Sequence, residues 1–364
     1  MNHKILLLLL IILLSFSGFG QQSYTYQVPS EHADGWKTSD LKSQKIDTSL
    51  LFKGFKQLAS ADHKIHSILI IKNDHLVFEE YYQDYSYNSL HDLRSVNKSI
   101  KSILMGIAID EGFIKSENDL ISKYLKTPIP KKNLDPRKEN ITIKHLLTMS
   151  TGLECNDWDK KSKGQEDRVY KKKDWLQYTL DLPMDREPGT TALYCSMGTL
   201  LAAEIIEQAS GMSLDAFTKK YLFDPLGITN IQRGHTTSDK EIISSAKRLY
   251  MTPRDMAKIG KLILQKGTWE GQQIVSESWI TTSTNIHTQI TGIDYGYLWW
   301  QFPFNIQGKP TYATLATGNG GQYIMIFPEQ NMIIVCTGGA YNSQEDKLPF
   351  KIVSDLVLPS LRQL

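Results

Sequence analysis

Arg94-Ser95-Val96-Asn97-Lys98-Ser99-Ile100 runs on through Gly106-Ile107-Ala108-Ile109-Asp110-Glu111-Gly112. Val96, Ile100, Ile103, Leu104, Ile107 and Ala108 recur at helical spacing, and Gly112 stands where a helix would end. Residues three apart are neighbours on a helix, so Ser95 and Lys98 put a hydroxyl and an amine on one face. The amine can then take the hydroxyl proton. Burial near positive dipoles is expected to lower the lysine's proton affinity, and the helix N-terminus favours an oxyanion at the serine. The spacing recurs at Ser39 with Lys42 and at Ser244 with Lys247, but only the Ser95 copy opens a long apolar helix.

Upstream, the β-rich runs 68–71 and 76–82 flank the turn sequence Lys72-Asn73-Asp74-His75, which reads as an antiparallel hairpin. Downstream, 120–230 is helical and broken by Pro, Gly and charge, with a helix over 199–208 stopped near Gly211. An amphipathic helix follows over 254–265. A second hairpin pairs 323–327 with 332–337 around Pro328-Glu329-Gln330-Asn331. Strands at both ends with helices between predict an α+β fold, an antiparallel sheet flanked by helices with an inserted helical lobe. The expected domain is a single unit over 21–364, its sheet lobe at about 21–119 and 231–364 and its helical lobe at about 120–230. The cleft between the lobes is the expected site.

The first four residues end in Lys4, and ten apolar residues follow over 5–14. With Gly18-Phe19-Gly20 at cleavage spacing, this predicts a signal peptide over 1–20, a start near Gln21, and a periplasmic or secreted protein without a stable membrane anchor. Lysine and arginine total 41 against 39 acids, a balance that offers nothing to nucleic acid. The basic stretch 160–173, interrupted by Glu166 and Asp167, reads as a solvated loop or helix face with no partner. Cys155, Cys195 and Cys336 cannot all pair within one chain; a Cys155–Cys195 bridge and buried thiols both remain open. His63-Lys64-Ile65-His66 lacks further ligands and reads as a surface pair, so no metal and no cofactor is expected.

Together with the Ser95 segment, several motifs occur in a fixed order. They are 143–153, Pro188-Gly189, Pro225-Leu226-Gly227, Thr252-Pro253-Arg254-Asp255 and Tyr295-Gly296-Tyr297-Leu298-Trp299-Trp300. The set resembles the class C β-lactamase and penicillin-binding protein family, in the branch containing esterases, D-aminopeptidases and 6-aminohexanoate-dimer hydrolases, over about 68–337. The resemblance implies an exported serine hydrolase that cleaves a small amide, ester or peptide through an acyl-enzyme, with Ser95 as nucleophile and Lys98 as its base. Its Tyr-x-Asn motif appears as Tyr194-Cys195-Ser196. Tyr194 would exchange protons with Lys98 and the leaving group, while Ser196 keeps one hydroxyl in place of an amide. Its Lys-Thr-Gly or His-Gly-Gly motif appears as Asn319-Gly320-Gly321-Gln322, without the cation.

The resemblance also implies an oxyanion hole made by the amides of Ser95 and Gln322, with the glycines allowing close approach. A neutral Asn319 implies a preference for uncharged substrates. A dinucleotide loop is rejected for Gly318-Asn319-Gly320-Gly321, which precedes a strand instead of opening a helix. A Ser-His-Asp hydrolase is disfavoured because no Gly-x-Ser-x-Gly elbow occurs. Trp299 and Trp300 read as core or cleft wall. The altered Ser196 and Asn319 keep a second reading open, a slow or non-catalytic binding or sensor module on the same fold.

Overall fold

Asn73 and Asp74 take φ values of 47° and 68° and close the two-residue turn between the strands Ile65–Lys72 and His75–Tyr81. Asn and Asp tolerate this left-handed backbone, which matches the twist of a tight hairpin. The computed structural model describes residues 24–234, 248–306 and 308–361. The expected signal peptide over 1–20 and the Ser244/Lys247 pair lie outside the described residues. Ser39 follows the strand Lys37–Thr38 and Lys42 lies in a turn, so neither is in a helix.

Nine strands from the two ends of the chain form one sheet. From edge to edge they are Lys37–Thr38, His75–Tyr81, Ile65–Lys72, Met332–Gly338, Gln322–Phe327, Lys309–Gly318, Trp300–Ile306, Ile293–Tyr295 and Thr288–Ile290. All pairings are antiparallel except at the first edge, where Lys37–Thr38 runs parallel to His75–Tyr81, a departure from the purely antiparallel expectation. The central strands are apolar on both faces because helices cover both. Leu69, Ile71, Ile324, Ile326, Ile333 and Val335 face one core, while Ile68, Ile70, Met325, Ile334 and Cys336 face the other. Helix α1 (Thr48–Ser60) packs in the second core through Leu51 and Phe55. The first core holds α2 (Val96–Asp110), α3 (Ser196–Ser210) and α4 (Pro253–Leu264).

Between 120 and 230 there are only helices, turns and isolated bridges. The longest helix there is α3, ended by Gly211 at φ 71°. A further three-stranded sheet of His91–Asp92, Arg248–Met251 and Ile231–Gly234 has no counterpart in the sequence reading. Helix α2 is buried at every position from Val96 to Ala108 except Asn97. Gly106 lets another helix in, since a Cβ there would lie 2.1 Å from the Trp279 ring, whose Nε1 donates to Ser102 O at 3.0 Å.

One expectation changes, and one alternative left open is resolved. His66 is no surface residue: the strand begins at Ile65, so His66 lies inside the sheet, stacks on Tyr85 at 3.7 Å and lies 5.3 Å from His91. Burial pushes both imidazoles down to about 4. Cys155 and Cys195 form a disulfide with Cα atoms 5.5 Å apart, and Cys336 is a buried thiol.

Arg254 of the Thr252-Pro253-Arg254-Asp255 motif is structural. Its fully buried guanidinium meets Glu79 at 2.5 Å, Asp34 at 3.0 Å and Ser30 O at 2.8 Å, tying α4 to the strand His75–Tyr81 and the N-terminal segment. Arg254→Met strands the buried Glu79 and is expected to lower unfolding free energy by about 3–5 kcal/mol in urea titrations. Adding Glu79→Gln should recover part of that loss. Alkylation of the unfolded, unreduced chain should modify one thiol by mass, that of Cys336, and all three cysteines after reduction.

Candidate active site

Arg94 turns the chain into α2 with φ 49°, a left-handed conformation that costs a side chain about 1 kcal/mol. Asp92 holds it there. One carboxylate oxygen accepts from Arg94 N at 3.1 Å, and the other meets Arg94 Nε at 2.9 Å and Arg248 Nη1 at 2.8 Å. Ser95 follows as the N-cap of α2, and its side chain caps nothing. Lys98 Nζ lies 2.7 Å from Ser95 Oγ, and Ser99 Oγ anchors the same turn to Leu298 O at 2.6 Å.

The ring centre of Tyr194 is 5.2 Å from Lys98 Nζ. The ring stacks on Trp158 at 5.1 Å and on Trp300 at 5.8 Å, so two aromatic faces fix its orientation. Trp299 is core and Trp300 is cleft wall. The backbone beside Tyr194 is pinned by Asp157 N, which donates to Tyr194 O at 2.8 Å. The Asp157 carboxylate in turn accepts from Ser196 N at 2.8 Å, Ser196 Oγ at 2.7 Å and Glu166 N at 3.2 Å. The disulfide sits inside this knot, since Cys155 is two residues from Asp157 and Cys195 separates Tyr194 from Ser196.

A cavity of about 730 Å³ brings together Ser95, Lys98, Tyr194, Ser196 and Asn319. Gly320, Gly321 and Gln322 do not line it. They form the turn behind Asn319, with φ 96° and 95° at the glycines, and a Cβ on Gly320 would lie 2.6 Å from the Tyr341 ring. The buried Gln322 amide donates to Gly338 O at 2.5 Å. Asn319 is spent on Asn342, donating to its Oδ1 at 2.8 Å and accepting from its N at 2.9 Å. Arg94 and Arg248 line the same cavity, so the absent motif lysine does not make this wall neutral.

The charges near Lys98 correct the expectation of a weakened base. Burial pulls its proton affinity down, yet Tyr194, Glu166 and Asp157 together hold it above the ordinary lysine value. Burial raises Glu166, with Asp157 and Asp167 adding to it and Lys98 and Arg248 opposing. Burial likewise raises Asp157 against Lys98 and the Ser196 hydrogen bonds. One turn further along α2, burial pushes Lys101 down to about 7, with Lys98 and Arg233 adding to the effect.

Asp157, Trp158, Glu166 and Lys101 were missed in the sequence. Lys101 carried a signal, the i+3 spacing from Lys98. Glu166 lay in the stretch read as a solvated loop or helix face, which holds for its exposed lysines and Arg168 but not for Glu166 and Tyr170, which the stretch lays against the cavity. Among the described residues, no group of three or more His, Cys, Asp or Glu is arranged to hold a metal ion.

The Beta-lactamase family pattern matches residues 57–347. A lovastatin esterase of Penicillium rubens is 28% identical over 189 residues, which cover 48% of this chain and 46% of that protein, so the match spans less than half of that relative. A 6-aminohexanoate-dimer hydrolase of Paenarthrobacter ureafaciens is 23% identical over 292 residues, covering 74% of this chain and 71% of the relative. A penicillin-binding protein homologue from Pyrococcus abyssi shares the fold, with TM-score 0.62 at 20% identity over 86% of this chain and 79% of that one. The matched span contains Ser95, Lys98, Tyr194 and Asn319 together with most of the large sheet, and on that match the chain belongs to the beta-lactamase family.

Proposed function

We propose that this serine hydrolase cleaves a small ester, amide or peptide through an acyl-enzyme on Ser95. The observation that carries the reading is the 2.7 Å contact between Ser95 Oγ and Lys98 Nζ at the first turn of a buried helix, with Tyr194 in the same cavity. Lys98 in its amine form takes the serine proton as Oγ bonds to the carbonyl carbon. The Tyr194 hydroxyl then protonates the leaving group as its bond to carbon breaks, and Lys98 restores the phenol's proton. Water repeats the sequence in reverse and releases the acid. The Ser95 amide is the proposed oxyanion donor; Gln322, the second donor expected from the sequence, does not line the cavity.

The names of the relatives, an esterase and an amide-bond hydrolase, support this substrate class. The aromatic wall of Trp158, Tyr194 and Trp300 supports a substrate with an apolar or flat group beside the scissile bond. Discrimination against anionic substrates no longer follows from Asn319, since Arg94 and Arg248 share that cavity. Export is also proposed. The apolar run over 5–14 motivates it, and the Cys155–Cys195 bridge suits an oxidising compartment.

Ser95→Ala is expected to abolish the mass adduct formed with a fluorophosphonate and to leave the thermal unfolding midpoint unchanged. Lys98→Met should lower kcat on a short ester by about 10³-fold or more, as for groups that act as a unit. Hydrolysis that persists at the wild-type rate in Ser95→Ala would end the serine reading, and stoichiometric labelling without turnover would favour a sensor. N-terminal sequencing of exported protein should begin near Gln21.

A further inference from the structure

Cations balance acids over the whole chain, but not between 121 and 138. Lys123, Lys126, Lys131, Lys132, Arg137 and Lys138 stand there against one acid, Asp135. Two large aliphatic side chains of the same stretch turn outward. Ile129 is 64% exposed and Leu134 is 75% exposed, more than any other large hydrophobic residue among the described ones.

That exposure is built into the loop, whose backbone is held from within by polar side chains. Gln208 on α3 accepts from Lys126 N at 2.8 Å and donates to Thr127 O at 2.6 Å. Gln177 donates to Ile129 O at 3.0 Å, and Asp181 accepts from Lys131 N at 2.6 Å and Lys132 N at 2.8 Å. Pro128, Pro130 and Pro136 restrict the backbone further. With its polar groups satisfied on the protein side, the loop presents its apolar side chains to the outside.

Ile129 and Leu134 also border an apolar cavity of about 590 Å³, whose wall includes Leu125, Ile141, Leu153 and Leu201. It is separate from the catalytic cavity: on α3, Leu200 lines that one and Leu201 this one. Lys126 and Lys138 line the apolar cavity, and Lys131 and Lys132, exposed beside it, make no ion pair among the described residues. Asp135 is matched by Arg137 at 2.7 Å, so on this wall Glu139 is left to oppose four lysines. A solvated face accounts for the lysines and leaves Ile129 and Leu134 unexplained. An apolar protein partner accounts for the aliphatic pair and leaves the lysines without an anion. Apolar tips within a ring of cations match a bilayer that carries negative head groups over hydrocarbon.

We infer that the loop 126–138 is a peripheral docking surface for an anionic lipid bilayer, with Ile129 and Leu134 entering the interface and the surrounding lysines meeting lipid phosphates. The contact is reversible and needs no spanning segment; among the described residues no helix is long and apolar enough to cross a membrane. It is independent of the acyl-enzyme chemistry and brings the hydrolase to where apolar esters and amides partition.

The test is cosedimentation of the mature protein, beginning near Gln21, with vesicles of phosphatidylcholine alone and of phosphatidylcholine mixed with phosphatidylglycerol, at low and high salt. A lysine near an anionic surface strengthens binding about fivefold, so the mixed vesicles should bind about tenfold or more tightly than the neutral ones. Most of that difference should vanish at about 1 M salt, where the screening length falls to about 3 Å. Ile129→Ser/Leu134→Ser and Lys131→Gln/Lys132→Gln should each weaken binding about tenfold or more. Neither pair lines the catalytic cavity, so kcat/KM on a soluble short ester should stay at the wild-type value and report an intact fold.

Equal binding to both vesicles, binding indifferent to salt, or full binding by either pair variant overturns the inference. Should one pair fail to fold, the other decides. Light scattering that shows wild type dimerising through Ile129 and Leu134 would assign the patch to a second copy and overturn it as well. Vesicle binding is also measured in Ser95→Ala, where it should equal that of wild type, so a failure of the acyl-enzyme reading and a failure of this one are read separately.

Discussion

A buried ammonium on a helix is the constraint around which the site is arranged. Lys98 sits where α2 is packed on nearly every side, and a charge taken out of water there is costly unless other charges and hydrogen bonds replace the solvent. Its replacements come from outside the helix: Ser95 Oγ at 2.7 Å, the phenol of Tyr194, and the carboxylates of Asp157 and Glu166. The last two come from a loop of the helical lobe, so the requirement to neutralise one side chain of the sheet lobe helps fix where the other lobe lies. The disulfide and the three hydrogen bonds accepted by Asp157 hold that loop to the start of α3.

On the opposite side, a second charge arrangement holds the nucleophile's own turn. Asp92 carries one negative charge and meets two guanidiniums, while its other oxygen accepts the amide of the left-handed Arg94. The three-stranded sheet supplies both Asp92 and Arg248, which gives that small element a function in positioning Ser95. The cavity wall on this side is left with a net positive charge, because one carboxylate is shared by two arginines.

Regular elements were legible because their periods survive in the sequence. The hairpin over 65–81 announces itself through Asn73-Asp74, and α2 through an apolar stripe ended by Gly112. The edge strand Lys37–Thr38 was not legible, since two residues carry no period. Asp157 and Glu166 were hidden for a different reason. They lie in or beside a stretch dominated by lysine, and a basic stretch reads as solvated until something shows that its few acids turn inward toward a buried amine. His66 shows the converse error, a polar residue assigned to the surface because the strand was read from Ile68 and begins three residues earlier, at Ile65.

The two departures from the family motifs acquire a common logic from these contacts. An asparagine at position 196 would carry two N–H donors beside its carbonyl acceptor, whereas a serine hydroxyl has one proton to give. Ser196 gives it to Asp157, as does its backbone amide, so the position serves to stabilise an anion next to the cavity. A lysine at 319 would add a cation on the far wall, where Arg94 and Arg248 already stand, and Asn319 instead ties its amide to Asn342. Charge has thus moved off the motif positions and onto their neighbours, negative beside Tyr194 and positive beside Ser95. For a reaction that builds an oxyanion at the substrate and shifts protons through Lys98 and Tyr194, that separation is favourable. The cations share the cavity with Ser95, whose attack puts the negative charge on the substrate's carbonyl oxygen, and the carboxylates offset the positive charge of Lys98.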